Sequence, residues 1–243
     1  MARPAGGGGI RGALAGLTAL AVIGAGLWAG ALWRGPGPLA GGPRDLPVAL
    51  TAAAAPLRIT VFGTSLSSAR YDWPAVLEAQ LATCGAQGAD FGAEIAVLAQ
   101  PGADIRWAAG QVDQVLATAP DLVLMEFASN DADLRDGVGR SQARRQTAEV
   151  VAALQAAGPD APAIALVTMG PAAGLRGVLR PRLAGHYAGY RALAEAQSLG
   201  LVDLEARWRA LGRGERGMDD GLHPDPATAR AVIVPALAQW LGC

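Results

Sequence analysis

Lysine is absent from this chain of 243 residues: all 20 basic side chains are arginine, set against 21 acidic ones. The formal net charge of −1 leaves no overall electrostatic footprint for nucleic acid. Cysteine and histidine are almost as scarce. Cys84, Cys243, His186 and His223 are the complete set, and no His/Cys pair stands close in sequence. Neither a zinc nor an iron–sulfur site is expected, and no cofactor is called for. Aromatic residues make up only 5%, so the core must be assembled from Leu, Val, Ile and Ala. Two motifs are also missing. There is no Gly-x-Ser-x-Gly elbow and no Gly-x-x-x-x-Gly-Lys loop, which argues against an α/β-hydrolase and a P-loop enzyme.

The first 34 residues read as an address. Arg3 and Arg11 precede an uncharged run from Gly12 to Trp33, which Arg34 closes. Its 22 residues suffice to span a hydrocarbon layer of roughly 30 Å as a helix. Trp28 and Trp33 lie near its end, where indole rings favour the interface. A cleaved signal peptide would use Ala29-Gly30-Ala31, but the run is long for one. Residues 1–34 are therefore expected to be a transmembrane signal anchor, and either reading exports the remainder of the chain. Residues 35–56 are dense in Pro, Gly and Ala and predict a linker. Residues 57–243 remain as the catalytic domain, placed outside the cytoplasm.

Within that domain, short apolar runs alternate with amphipathic stretches. The pattern predicts strands over 57–62, 94–98, 121–127, 163–169 and 201–204. Helices are predicted over 73–84, 105–118, 142–157, 181–198 and 226–241. Strands buried on both faces and separated by helices signify a parallel sheet with right-handed crossovers. In such sheets the chemistry lies beyond the carboxyl ends of the strands.

Polar blocks gather at those ends. Gly63-Thr64-Ser65 follows the first strand, Gln100-Pro101-Gly102 the second, and Ala128-Ser129-Asn130-Asp131 the third. Asp220-Gly221-Leu222-His223 precedes the last helix. Each is weak alone; the conjunction carries the reading. A serine hydroxyl needs a base to take its proton, and imidazole is suited to that work. Asp220, three residues before His223, can accept the Nδ1 proton and fix the tautomer. The backbone N–H groups of Ser65 and Gly102 and the amide of Asn130 can face a tetrahedral oxyanion. His186 falls inside a helical pattern and reads as structural. The loop from Gly174 to Arg182 carries Arg176, Arg180 and Arg182; contact with an anionic glycan or headgroup competes with simple solvation. Trp73 and Trp107 read as packing against the sheet rather than stacking on a sugar.

These four blocks in this order resemble the SGNH/GDSL hydrolase superfamily over about residues 57–241. The resemblance implies a flavodoxin-like three-layer α/β/α sandwich with a five-stranded parallel sheet. It makes Ser65, Gly102, Asn130 and His223 the four naming residues and Asp220 the triad acid. Two departures stand out: Thr64 replaces the acidic residue usual beside the nucleophile, and Ala128 replaces a glycine. A flavodoxin-like order also places the first and last helices on one sheet face, so export predicts a Cys84–Cys243 disulfide.

The implied activity is a serine esterase acting on short-chain, O-acetyl esters of an extracytoplasmic carbohydrate or envelope polymer. Its partners are a small ester or acylated glycan, and the membrane through the N-terminal helix. Two rivals are a lipid esterase or thioesterase at the membrane face and an idle glycan-binding module; the intact Ser/Asp/His/Asn set disfavours the latter. The one loose stretch, 170–180, is polar and basic, so a shallow crevice for a short acyl group is expected.

Overall fold

A computed structural model describes residues 36–50, 56–85, 92–218 and 220–243. Its centre is a sheet of five parallel strands: β1 (Leu57–Gly63), β2 (Ala93–Ala99), β3 (Leu122–Glu126), β4 (Ala163–Thr168) and β5 (Gly200–Asp203). They run side by side in the order β2-β1-β3-β4-β5, the flavodoxin-like arrangement. Every residue of β3 and β5 is buried, as apolar side chains pointing to both faces demand. Register aligns Gly63 with both Ala99 and Glu126, so the loops after three strands emerge at one level.

The helices are α1 (Trp73–Gly85), α2 (Ile105–Ala109), α3 (Val112–Ala117), α4 (Ala128–Asp131), α5 (Arg140–Gln155), α6 (Gly174–Val178), α7 (Leu183–Gln197), α8 (Leu204–Ala210) and α9 (Pro226–Trp240). One layer packs α1 and α8 against α9; the other packs α2, α3 and α7 against α5. Cys84 at the end of α1 and Cys243 just beyond α9 form the expected disulfide, with Cα atoms 5.8 Å apart. That separation lies within the usual range for a bridge.

Four expectations change. The helix predicted over 105–118 is two pieces, because the Gly110 N–H turns back to Trp107 O and tightens the chain there. The stretch 170–180, expected to be a loose loop, contains α6. A helix not foreseen, α8, follows β5; Arg191 and Arg209 hold its Glu205 at 2.8 and 3.0 Å. Residues 35–56 are not a free linker throughout. Leu46 pairs with Leu201, exchanging backbone hydrogen bonds of 3.0 and 2.9 Å, and covers the otherwise open edge of β5. Asp45 reinforces this contact with an ion pair to Arg207 at 2.5 Å. The apolar run assigned to a membrane anchor lies outside the described residues; no helix among those described is long and apolar enough to cross a membrane.

Candidate active site

Ser65 owes its position to the turn that follows β1. Glu126, at the end of neighbouring β3, is fully buried beneath this turn. Its carboxylate accepts the Thr64 N–H at 2.6 Å, the Thr64 hydroxyl at 3.0 Å and the Ser67 hydroxyl at 2.9 Å. A Cβ at residue 63 would fall 2.3 Å from Glu126 Oε1, so only glycine lets the strand end so close to that acid. Burial dominates the Glu126 carboxyl and pushes it up to about 7, although its three donors pull the other way. Phe62, Phe127 and Trp107 meet below the strand ends, with Phe62 and Phe127 edge to face at 4.9 Å. The few aromatic rings of the chain thus support the loops above them.

The imidazole arrives from the loop before α9. Tyr71 donates its hydroxyl to Pro224 O at 2.9 Å, tying that loop to the serine's own. His223 Nδ1 and Asp220 Oδ2 are 2.7 Å apart, and Ser65 Oγ lies 2.9 Å from His223 Nε2. With Nδ1–H donating to Asp220, Nε2 is left to accept the serine hydroxyl. Burial opposes ionisation of Asp220. The backbone N–H groups of His223 and Leu222 and the ring N–H outweigh it and hold the carboxyl well below the usual range.

Three hydrogen-bond donors belong to residues that line the same cleft. The N–H groups of Ser65 and Gly102 donate to no acceptor among the described residues. Gly102 has φ +80°, a backbone conformation that L side chains rarely adopt, and open space where a Cβ would stand. Asn130 gives one amide hydrogen to Ala103 O at 2.8 Å, which fixes the amide plane and leaves the second hydrogen available. The cleft has a volume of about 370 Å³ and brings together Ser65, Gly102, Asn130 and His223. All five residues singled out in the sequence are thereby placed around one space, Asp220 from behind His223.

Sequence reasoning missed the supporting roles of Glu126, Asp131, Asp133 and Arg180. Asp131, fully buried, accepts the Ile105 N–H at 2.9 Å and so ties the Gly102 loop to the turn carrying Asn130; burial pushes its carboxyl up to about 7. Arg180, from the basic loop for which contact with an anionic ligand and simple solvation competed, is buried. It donates to Ser129 O at 2.7 Å and pairs with buried Asp133 at 2.7 Å, bracing the Asn130 turn. The only sequence signal is position: a charge closing or following an apolar strand. His186 is buried beside α5, and Trp73 packs in the core while donating to Leu66 O, as expected of structural residues.

Comparison with known proteins agrees with this geometry. The GDSL-like Lipase/Acylhydrolase family profile matches residues 59–231. No curated protein sequence matches. Among solved structures, a lipase/acylhydrolase from Enterococcus faecalis is 20% identical with a TM-score of 0.63, covering 75% of this chain and 96% of its own. An acetyl xylan esterase from Geobacillus stearothermophilus is 16% identical at TM-score 0.63, covering 81% and 96%. A carbohydrate acetylesterase family member from Sinorhizobium meliloti is 21% identical at 0.58, covering 77% and 100%. At such identities these likenesses speak to the fold; the profile, spanning most of the chain, speaks to descent. The chain belongs to the GDSL-like lipase/acylhydrolase family and is a serine hydrolase of carboxylic esters.

Proposed function

We propose that Ser65, His223 and Asp220 remove short acyl groups, O-acetyl above all, from an extracytoplasmic carbohydrate or envelope polymer. The carrying observation is the unbroken relay from Ser65 Oγ to His223 to Asp220, 2.9 and then 2.7 Å, opening onto a cleft lined mainly by polar and charged residues. As Ser65 Oγ bonds to the acyl carbon, its proton passes to His223 Nε2. Asp220 steadies the imidazolium, and the carbonyl oxygen takes its negative charge toward Ser65 N, Gly102 N and Asn130 Nδ2. Collapse breaks the acyl–alkoxy bond, and the His223 proton leaves with the alcohol. Water then repeats the cycle on the acyl-serine and restores the enzyme.

The cleft walls support the short-acyl reading. Most residues lining the cleft are polar or charged, with Pro101 and Leu222 as its apolar side chains, which favours a short acyl group over a long one. The Cys84–Cys243 bridge and the N-terminal apolar run support an oxidising compartment outside the cytoplasm, with residues 1–34 as tether. The test is a p-nitrophenyl ester series from acetate to octanoate, with wild type and Ser65→Ala. Each buried CH₂ contributes about 0.8 kcal/mol, nearly fourfold in kcat/KM when realised in the transition state. Acetate should be the better substrate and Ser65→Ala inactive. A kcat/KM rising steadily toward octanoate would replace this reading by lipid esterase, and activity surviving Ser65→Ala would remove the nucleophile.

A further inference from the structure

Arginine is unevenly distributed over the surface of this nearly neutral chain. Arg70, Arg135, Arg176 and Arg180 line the cleft that holds Ser65, together with two acids, Asp133 and Asp136. One carboxylate, Asp133, serves both Arg135 at 2.8 Å and Arg180 at 2.7 Å. Arg180 Nη1 is buried and has no acceptor among the described residues. Arg176 pairs with Asp220 at 3.3 Å, so the excess positive charge in the cleft rests on Arg70 and on the Asp133 carboxylate shared by two arginines.

A second, larger depression is built from residues that neighbour those of the cleft in sequence. An open groove of about 710 Å³ runs between α5 and α7, lined by Arg140, Arg144, Arg145 and Arg182, with Ser141 and glycines but no acid. All four arginines are exposed. Among the described residues none of them has a carboxylate within ion-pair distance. Neither α5 nor α7 has an acidic residue in its first turn, where helices usually gain from one. Such clustering of like charge costs stability and is not relieved internally. Buried His186 senses it: desolvation first, then Arg140 and Arg182, pull the imidazole down to about 4.

The shape is as specific as the charge. Gly185 and Gly189, one turn apart on α7, form the floor. The Arg140 side chain lies across Gly185, where a Cβ would come within 2.6 Å of it, while the space above Gly189 is empty. The groove and the cleft draw on neighbouring stretches of chain: Arg135 of the cleft lies in the loop that leads to Arg140 of the groove, and Arg180 of the cleft is two residues before Arg182 of the groove.

We propose that this groove binds a polyanionic polymer, a chain bearing repeated carboxylates or phosphates, and leads its acylated units to Ser65. The inference rests on the ester-hydrolase reading and names the substrate class for it. A polymer fits better than a lipid surface because the groove is concave and presents no apolar side chain. Several unpaired arginines along a track give affinity through summed Coulomb attraction, which salt screens over about 8 Å at physiological ionic strength.

The test measures binding of the full chain to fluorescent polygalacturonate, polyphosphate and neutral dextran at low and high salt. Two variants accompany it: the triple Arg140→Gln/Arg144→Gln/Arg145→Gln, and Gly189→Glu, which places a carboxylate in the empty floor. One or both polyanions should bind, the preferred one identifying the anion, and dextran should not. Each variant should weaken binding at least tenfold and leave p-nitrophenyl acetate turnover unchanged. With acetylated polygalacturonate against acetylated xylan, KM should rise tenfold for the anionic polymer alone. Equal binding by wild type and variants, or no polyanion binding, overturns the proposal. So does an arginine dependence seen only with vesicles of anionic phosphatidylglycerol, which would make the groove a headgroup surface. Failure of polymer binding with acetate hydrolysis intact removes only this inference; loss of acetate hydrolysis with binding intact removes the ester-hydrolase reading instead.

Discussion

Replacing Glu126 by Gln should change how the stability of this protein depends on pH. The carboxyl is raised from an ordinary 4.5 to about 7 by burial. Between those values the folded chain keeps a proton that the unfolded chain has lost, so stability present in acid declines as pH rises. Each such group costs about 1.4 kcal/mol per pH unit inside its window, hence roughly 3 kcal/mol in all for Glu126. Two other buried groups share the range. Asp131, raised from 3.8 to about 7, acts in the same direction. His186, lowered from 6.5 to about 4, acts oppositely, because the unfolded chain holds the proton there. Between pH 5 and 6 the sum is two falling terms and one rising, a net loss of about 1.4 kcal/mol per unit. Glu126→Gln removes one falling term and should leave stability nearly flat. Urea denaturation at pH 5, 5.5, 6 and 6.5, followed by far-UV circular dichroism, reads both slopes. Identical slopes for wild type and variant would refute the assignment of a buried, protonatable acid beneath Ser65.

Two further outcomes concern catalysis and one the disulfide. Asn130→Ala should lower kcat toward p-nitrophenyl acetate by roughly 10²–10³-fold, the usual cost of one oxyanion donor. His223→Ala should be inactive, whereas the buried His186→Ala should fold less stably but retain most turnover; the reverse pattern would exchange their roles. The Cys84–Cys243 bridge closes a loop across 159 positions. On the chain-entropy account Cys84→Ser/Cys243→Ser should then lose up to about 5 kcal/mol of unfolding free energy; a loss below about 1 kcal/mol by denaturant titration would mean that packing of α1 on α9 already holds the terminus.

The parallel sheet is legible in the sequence because its strands are short apolar runs, buried on both faces and separated by amphipathic stretches. Each predicted strand lies within one or two residues of an observed one. The elements that escape such a reading are held by something other than apolar periodicity. Helix α6 exposes Leu175 and Val178, so its sequence offers no buried stripe. Helix α8 is fastened by ion pairs between Glu205 and arginines 14 residues before and 4 residues after it. The stretch 37–50 has the composition of a linker, yet strand edges recruit backbone, and backbone pairing leaves no compositional trace.

The site divides along the same line. Ser65, Gly102, Asn130, Asp220 and His223 can be found because each occupies a fixed place relative to a strand or helix end. Glu126 and Arg180 act through partners 62 and about 50 positions away, and no local pattern encodes such pairs. Thr64 shows how the two levels join. As a departure from the family pattern it reads only as a lost acid. In the structure both its N–H and its hydroxyl go to Glu126, an acid already buried with no cation in its bonding shell. An aspartate at 64 would set a second carboxylate against the first, and two like charges in one buried site cannot both ionise. A hydroxyl meets the same oxygens as a donor. The acid missing beside the nucleophile and the acid unforeseen beneath it are thus one arrangement: with Glu126 in place, a neutral hydrogen-bond donor is what position 64 requires.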